Sequence, residues 1–251
     1  MIASLPMYDR PETAAANDAL WQGVRAALGQ GPETLSRDSE MWADWQNPDL
    51  ILSQTCGYPF RTRLHGKVTL VASPVLDLPD CPAGHYYSVL VARADDLRQT
   101  PEEFGTAPLA YNDALSQSGW AAPQNWAAAR GFAFTNPVRT GAHRASAMAV
   151  AEGRADIAAL DALTWRLLQA HDPITRHLRV LGRTDPTPAL PYITALGRDA
   201  GRVRDALASA IAALPETART TLGIKGVIHI PAEAYLAVPN PAPPPSPPPP
   251  N

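Results

Sequence analysis

Short apolar runs bounded by turn residues recur along the chain. Ile2-Ala3-Ser4-Leu5, Leu50-Ile51-Leu52, Val68-Thr69-Leu70-Val71-Ala72 and Tyr86-Tyr87-Ser88-Val89-Leu90-Val91 are continuous rather than alternating. Such runs predict strands of a parallel or mixed sheet, covered on both faces. Between them the period becomes helical. After the Tyr8-Asp9-Arg10-Pro11 turn, Leu20, Val24, Ala27 and Leu28 fall on one face and predict a helix through Leu28. Leu109-Ala110-Tyr111 predicts a strand, and a helix is expected from Trp120. A further helix over 141–152 is closed by Gly153, and Ile157-Ala158-Ala159-Leu160 predicts the strand after it. The Pro- and Thr-rich stretch 182–191 predicts an extended segment crossing back between two lobes. A helix is expected over 194–213 and a last strand over 226–230. Strands that alternate with helices call for an α/β protein with helices packed on sheet faces. Residues 239–251 are mostly proline and predict an extended, solvated, disordered polyproline-II tail without a core.

Composition narrows the function classes. The chain has 251 residues and 45% hydrophobic content, enough to fill the core of one large domain or two small lobes. A net charge of -3 supplies no basic face for phosphate backbones, so no nucleic-acid partner is expected. No apolar run is long enough to span a bilayer, and the opening MIASLPMYDRPE has neither the basic nor the apolar region of a secretory signal. Cys56 and Cys81 occupy similar settings and leave two readings open, a disulfide or two separate thiols. The histidines are scattered without H-x-x-x-H or C-x-x-C spacing, and no Gly-rich nucleotide fingerprint occurs. No metal and no cofactor are expected.

Three segments carry candidate chemistry. In Tyr111-Asn112-Asp113-Ala114-Leu115-Ser116-Gln117-Ser118-Gly119-Trp120 a strand end and a turn deliver small hydroxyl residues to a helix start. The first N–H groups of a helix lack intrahelical acceptors and lie at the positive end of its dipole, which suits an anion. Ser116 and Ser118 add hydroxyl donors there, although a serine in that place also serves simply as an N-cap. Thr140-Gly141-Ala142-His143-Arg144 opens a second helix with His143 in its first turn. Arg144 is expected to point away as a surface charge. Asp161 follows the strand before it and reads either as an N-cap or as a carboxylate at the ligand end of an α/β sheet. Beside an anion that carboxylate selects a ligand that keeps a proton or carries an amine.

LAYNDALSQSGW followed by GAHRASAMAVAEGRADIAALDALTW resembles the second lobe of the phosphate, phosphite and phosphonate binding proteins of ABC importers. In that family a Ser-rich helix start, a Gly-x-His helix, a V-x-x-G-x-A-D segment and an acidic residue after the next strand form the anion pocket. Leu52-Ser53-Gln54-Thr55-Cys56-Gly57-Tyr58-Pro59 and Tyr86-Tyr87-Ser88-Val89 are similar to its first-lobe wall and hinge strand. The resemblance implies a type II periplasmic-binding-protein fold with two crossing strands. Its first lobe comprises 1–88 with 187–238, its second 89–186, and its tail 239–251. The resemblance further implies that Ser116, Gln117, Ser118 and His143 grip the oxyanion, that Tyr8 and Tyr58 face it from the first lobe, and that Asp161 accepts a ligand proton. Gln117 stands where many relatives carry a hydroxyl. The implied function is a monomeric, periplasmic, non-enzymatic solute-binding protein, partnered by an ABC permease. The alternatives are a cofactor-biosynthesis enzyme and an intracellular ligand sensor on the same fold. A Ser-His-Asp triad is disfavoured because Ser116 lacks the G-x-S-x-G setting of a nucleophile elbow.

Overall fold

The computed structural model describes residues 1–245. The chain divides into two compact units, 1–86 with 187–238, and 87–186 with the segment from 239. In chain order the first unit supplies β1 (Ile2–Ser4), α1 (Ala14–Leu28), α2 (Met41–Trp45), β2 (Leu50–Gln54), α3 (Gly57–Pro59), β3 (Val68–Leu76) and β4 (His85–Tyr86). The second supplies β5 (Ser88–Arg93), β6 (Pro108–Tyr111), α4 (Ala122–Ala128), β7 (Asn136–Arg139), α5 (His143–Ala151), β8 (Ile157–Asp161), α6 (Ala162–His171) and β9 (Leu178–Arg183). The chain then returns to the first unit with β10 (Thr187–Pro188), β11 (Tyr192–Ala195), α7 (Ala200–Ala213), α8 (Glu216–Leu222), β12 (Ile224–Ile228) and α9 (Ala232–Leu236).

The first unit is a mixed five-stranded sheet of order β1-β2-β11-β3-β12, with β1 parallel to β2 and β11 antiparallel to both of its neighbours. Apolar residues of α1 and α7 share a core with the sheet, among them Trp21, Val24, Leu207 and Ile211 against Ile51, Leu52 and Val71. Each such fully buried aliphatic side chain contributes about 1.5–3 kcal/mol. A second cluster of Trp45, Leu50, Phe60, Leu64, Ile193 and Tyr235 adds to it. β3 runs through Pro74 because β11 pairs with its first half and β12 with its second. At the proline only one neighbour is present, so the missing N–H donor is tolerated.

The second unit is a five-stranded sheet of order β7-β6-β8-β5-β9, with β6 parallel to β7 and β8, and β5 antiparallel to β8 and β9. Leu90, Val91, Ala158, Ala159 and Leu160 are wholly buried, as the continuous apolar runs predict. The two crossing segments meet as a short antiparallel pair, Thr187 opposite Tyr86 and Pro188 opposite His85.

Several boundaries differ from expectation for tertiary reasons. The run 86–91 splits at Tyr87, because Tyr86 pairs with β10 whereas Ser88 onward pairs with β8 and β9. The helix expected over 194–213 starts at Ala200. Tyr192 to Ala195 are instead a buried strand between β2 and β3, and Asp199 caps the helix through Arg202 N–H. The last strand is 224–228, and β7, β9, α2, α8 and α9 were not legible as periodic segments. Cys56 and Cys81 are not bridged. Of the proline tail, 239–245 carry neither helix nor strand, and 246–251 lie outside the described residues.

Candidate functional site

β6 ends at Tyr111, and the turn that follows is closed by Leu115 N–H on Asp113 Oδ1 (2.8 Å) and Ser116 N–H on the Asp113 carbonyl (3.0 Å). Gln117–Ala121 then wind as a single π-helical turn into α4. Ser116 caps that turn, its Oγ accepting from Gly119 N–H at 2.9 Å. The widened turn is held from outside by Ser88 at the start of β5, whose hydroxyl donates to the Ser118 carbonyl at 2.9 Å. Ser88 N–H in turn donates to Thr184 Oγ1 at 3.0 Å. Gly119 is sterically fixed: a Cβ there would stand 1.9 Å from Asn112 Oδ1.

The second helix opening is tied to the same strand end. Thr140 donates through its N–H and its hydroxyl to the Tyr111 carbonyl (2.9 and 3.0 Å), and Gly141 N–H donates to the Asn112 carbonyl at 3.1 Å. Thr140 Oγ1 also lies 2.6 Å from Ser146 Oγ inside α5. Gly141 takes φ +90°, a conformation open to glycine, and lets the chain turn sharply into α5. His143 is the first residue of that helix. Its Nε2 lies 2.8 Å from Ser118 Oγ, which is itself 3.5 Å from Ser116 Oγ. One strand end therefore holds two helix openings, and a Ser116–Ser118–His143 chain of side-chain contacts joins them.

Ser116, Gln117 and Ser118 are buried, at 6%, 1% and 4% exposure. His143 is partly exposed at its edge, but its Nδ1 is enclosed and makes no well-formed hydrogen bond. Burial pushes its imidazolium down to about 4, only partly offset by the Ala159 backbone, so the ring is neutral at neutral pH. Asn112 Oδ1 is another enclosed acceptor without a partner, beside Gly119.

Of the residues singled out by sequence, Ser116, Ser118 and His143 come together in the second unit. Gln117 shares their turn. Asp161 is buried at the end of β8 opposite Ser88, and its Oδ1 accepts from Thr164 N–H at 2.8 Å, which makes it the N-cap of α6. Arg144 is half-exposed and pairs at 2.6 Å with the buried carboxylate of Asp172. Tyr8 and Tyr58 belong to the first unit. Tyr8 is partly exposed, and Tyr58 is buried with the Arg61 guanidinium 4.5 Å from its ring centre. Sequence reasoning placed Asn112 and Thr140 inside the candidate segments and Ser88 in the hinge strand without giving them a role, and it missed Thr184. Each is a small polar residue at a strand end, and that position was the available signal. No group of three metal-ligating side chains occurs among the described residues, and no helix there is long and apolar enough to cross a membrane.

Solved structures share this fold at low identity. PhnD1 from Prochlorococcus marinus, solved with methylphosphonate, superposes with a TM-score of 0.72 at 14% identity over 93% of each chain. A binding-protein component of an ABC phosphonate transporter from Pseudomonas aeruginosa gives 0.67 at 15% identity, covering 90% of this chain and 80% of its own. A Xanthomonas citri protein solved with ATP gives 0.65 at 15% identity, covering 95% of this chain and 97% of its own. No curated protein matches the chain. Residues 39–235 match the family described as the periplasmic substrate-binding protein of the phosphonate ABC transporter. With that match spanning well over half of the sequence, the chain belongs to the family of periplasmic substrate-binding proteins of ABC phosphonate transporters.

Proposed function

We propose that the chain captures a small tetrahedral oxyanion of the phosphate or phosphonate class at the Ser116–Ser118–His143 corner of its second unit and hands it to an ABC permease. It acts as a periplasmic monomer and leaves the ligand chemically unchanged. The observation that carries this reading is the 2.8 Å contact between Ser118 Oγ and His143 Nε2, which sets side chains from two helix starts against each other. Both starts lie at the positive ends of their helices, and hydroxyl groups add donors that a tetrahedral anion accepts from several sides. An arriving anion favours the imidazolium form of His143, in which both ring nitrogens donate. Binding is then charge-assisted although burial keeps the ring neutral before the anion arrives.

Asp161 enters as the acceptor of a ligand proton, a role it combines with its cap to α6. That pairing favours a monoprotonated or amine-bearing ligand over a fully ionised one. Gln117, Tyr8 and Tyr58 enter as further ligand contacts on the strength of the family resemblance. A nucleophilic Ser118–His143 pair would need a carboxylate orienting Nδ1, and Nδ1 makes no well-formed hydrogen bond. The same two residues therefore favour binding over turnover.

Calorimetry with phosphate, phosphite, methylphosphonate, aminoalkylphosphonates, sulfate and small carboxylates tests the reading. Ser118→Ala and His143→Ala are each expected to weaken the tightest-binding anion by about 1.5–3 kcal/mol, the cost of a hydrogen bond to a charged group. Unchanged affinity in both variants, or tighter binding of a carboxylate than of any phosphorus oxyanion, would overturn it.

A further inference from the structure

The proline segment after Val238 has a register. Pro241 and Pro244 are half-buried, whereas Pro239, Asn240, Ala242, Pro243 and Pro245 are exposed. Burial at every third residue is the signature of a polyproline-II helix lying with one edge against a surface, because that helix has three residues per turn. The hydrogen bonds keep the same spacing. The Pro239 carbonyl accepts from Asn125 Nδ2 at 2.8 Å, and the Ala242 carbonyl, one turn further on, accepts from Trp120 Nε1 at 3.1 Å. A polyproline-II helix makes no internal hydrogen bonds, so its carbonyls remain available to side-chain donors. Its stiffness also lowers the entropy lost on docking.

The surface it meets is not a generic one. Trp120 lies in the π-helical turn 117–121, next to Gly119 and two residues after Ser118, and Asn125 lies one helical turn beyond it in α4. Trp120 is 3% exposed, and its ring packs 5.1 Å from that of Tyr111, the residue whose carbonyl holds Thr140. Tyr111 and Trp120 are thus the apolar underside of both helix openings.

We infer that Trp120 and Asn125 form a polyproline-reading surface whose occupant is the chain's own segment 239–245, and that the docked segment buttresses the turn carrying Ser116 and Ser118. Trp120 is in this sense a positioning residue: it acts on the anion through the turn. The buttressing half of the inference rests on the oxyanion reading above, whereas the docking half does not.

The test uses the full chain in three forms, wild type, Trp120→Phe, and the double variant Pro241→Gly/Pro244→Gly. The first readout is hydrogen exchange of the indole N–H groups by NMR. Trp120→Phe identifies the Trp120 resonance by its loss. Trp21 and Trp45, whose indoles donate to the carbonyls of Pro32 and Gln54 in the first unit, are internal references. In the double-glycine variant the Trp120 indole is expected to exchange at least about tenfold faster, with Trp21 and Trp45 unchanged. The second readout is methylphosphonate affinity, expected to fall about fivefold in both variants, the loss of roughly one hydrogen bond's worth of support. A synthetic PNPAPPP peptide added at millimolar concentration is expected to restore most of that loss in the double-glycine variant, since millimolar is the effective concentration of a short tether. It should restore nothing in Trp120→Phe.

Unaltered Trp120 exchange in the double-glycine variant overturns the docking. Accelerated exchange with unaltered affinity overturns the buttress. A wild-type chain that binds no methylphosphonate defeats that ligand assignment, and the exchange measurement then decides the docking by itself.

Discussion

Gly119 shows how one atom's absence shapes the site. Its Cα faces the Asn112 side chain so closely that any Cβ would overlap Asn112 Oδ1, while its N–H supplies the hydrogen that Ser116 Oγ accepts. Gly119→Ala is therefore expected to destabilise the protein by about 1–3 kcal/mol, the usual cost of overpacking. It should also weaken anion binding more than tenfold, because the displaced atoms belong to the turn that holds Ser118. Adding Asn112→Ala removes the overlapping oxygen. The double variant should recover most of the thermal stability lost by Gly119→Ala alone. A double variant no more stable than the single one would show that the cost lies in the backbone of the turn and not in this contact. The neutral imidazole belongs to the same scale: His143 is held uncharged by its surroundings, so the corner presents hydrogen-bond donors and acceptors without a buried cation to neutralise.

At the scale of elements, the loop after β5 is fixed by one arginine. Arg98 donates to Asp96 Oδ2 at 2.6 Å and to Asp156 Oδ2 at 2.7 Å, and its guanidinium lies 3.9 Å from the ring centre of Phe104. It thereby joins that loop to the residue preceding β8. The hydrogen bonds from Arg98 outweigh the desolvation of the Asp96 carboxyl and lower its pKa from 3.8 to about 2. A carboxylate whose pKa is depressed by folding stabilises the native state at pH values above its unfolded pKa. That contribution disappears as pH falls from about 4 to about 2. Asp96→Asn should accordingly cost about 1–2 kcal/mol at pH 7, and the gap to wild type should close in denaturant titrations repeated toward pH 2. A gap independent of pH would assign the loss to packing. Arg98 and Asp96 were not legible in the sequence, because their meaning depends on Asp156, which is distant in sequence. The strands with wholly apolar runs, such as Val89–Leu90–Val91, were legible because burial on both faces leaves a mark in composition. β11 was not: Tyr192 to Ala195 are only four residues, and their strand identity comes from lying between β2 and β3. The candidate site follows the same division. Ser116, Ser118 and His143 announce themselves through helix-start chemistry, whereas Ser88, Asn112 and Thr140 matter only through the contacts that the fold creates.

At the scale of the molecule, connectivity makes the two units unequal partners in folding. Apart from the segment after 238, the second unit is one uninterrupted stretch, 87–186, and its pairs β6–β7, β6–β8 and β5–β8 all close within it. The first unit is built from two stretches separated by that whole insertion, and its sheet is incomplete until β11 enters between β2 and β3. A longer loop adds closure entropy only slowly, about 0.6 kcal/mol per doubling. That entropy must nevertheless be spent before any contact of β11 offsets it, and folding rates fall as contacts become less local. An insertion that folds first also shortens the effective loop, since a compact second unit brings its own ends, and hence β4 and β10, toward each other. Pulsed hydrogen exchange during refolding should therefore find the amides of Val89 to Ala92 and Ala158 to Leu160 protected before those of Ile193 and Thr194. Glycine at Ala159, in the middle of β8, should slow both events, because the second would wait on the first. Protection of Ile193 and Thr194 at or before the time of the β5–β8 amides would show that the first unit closes around an unfolded insertion, and the order argued from connectivity would fail.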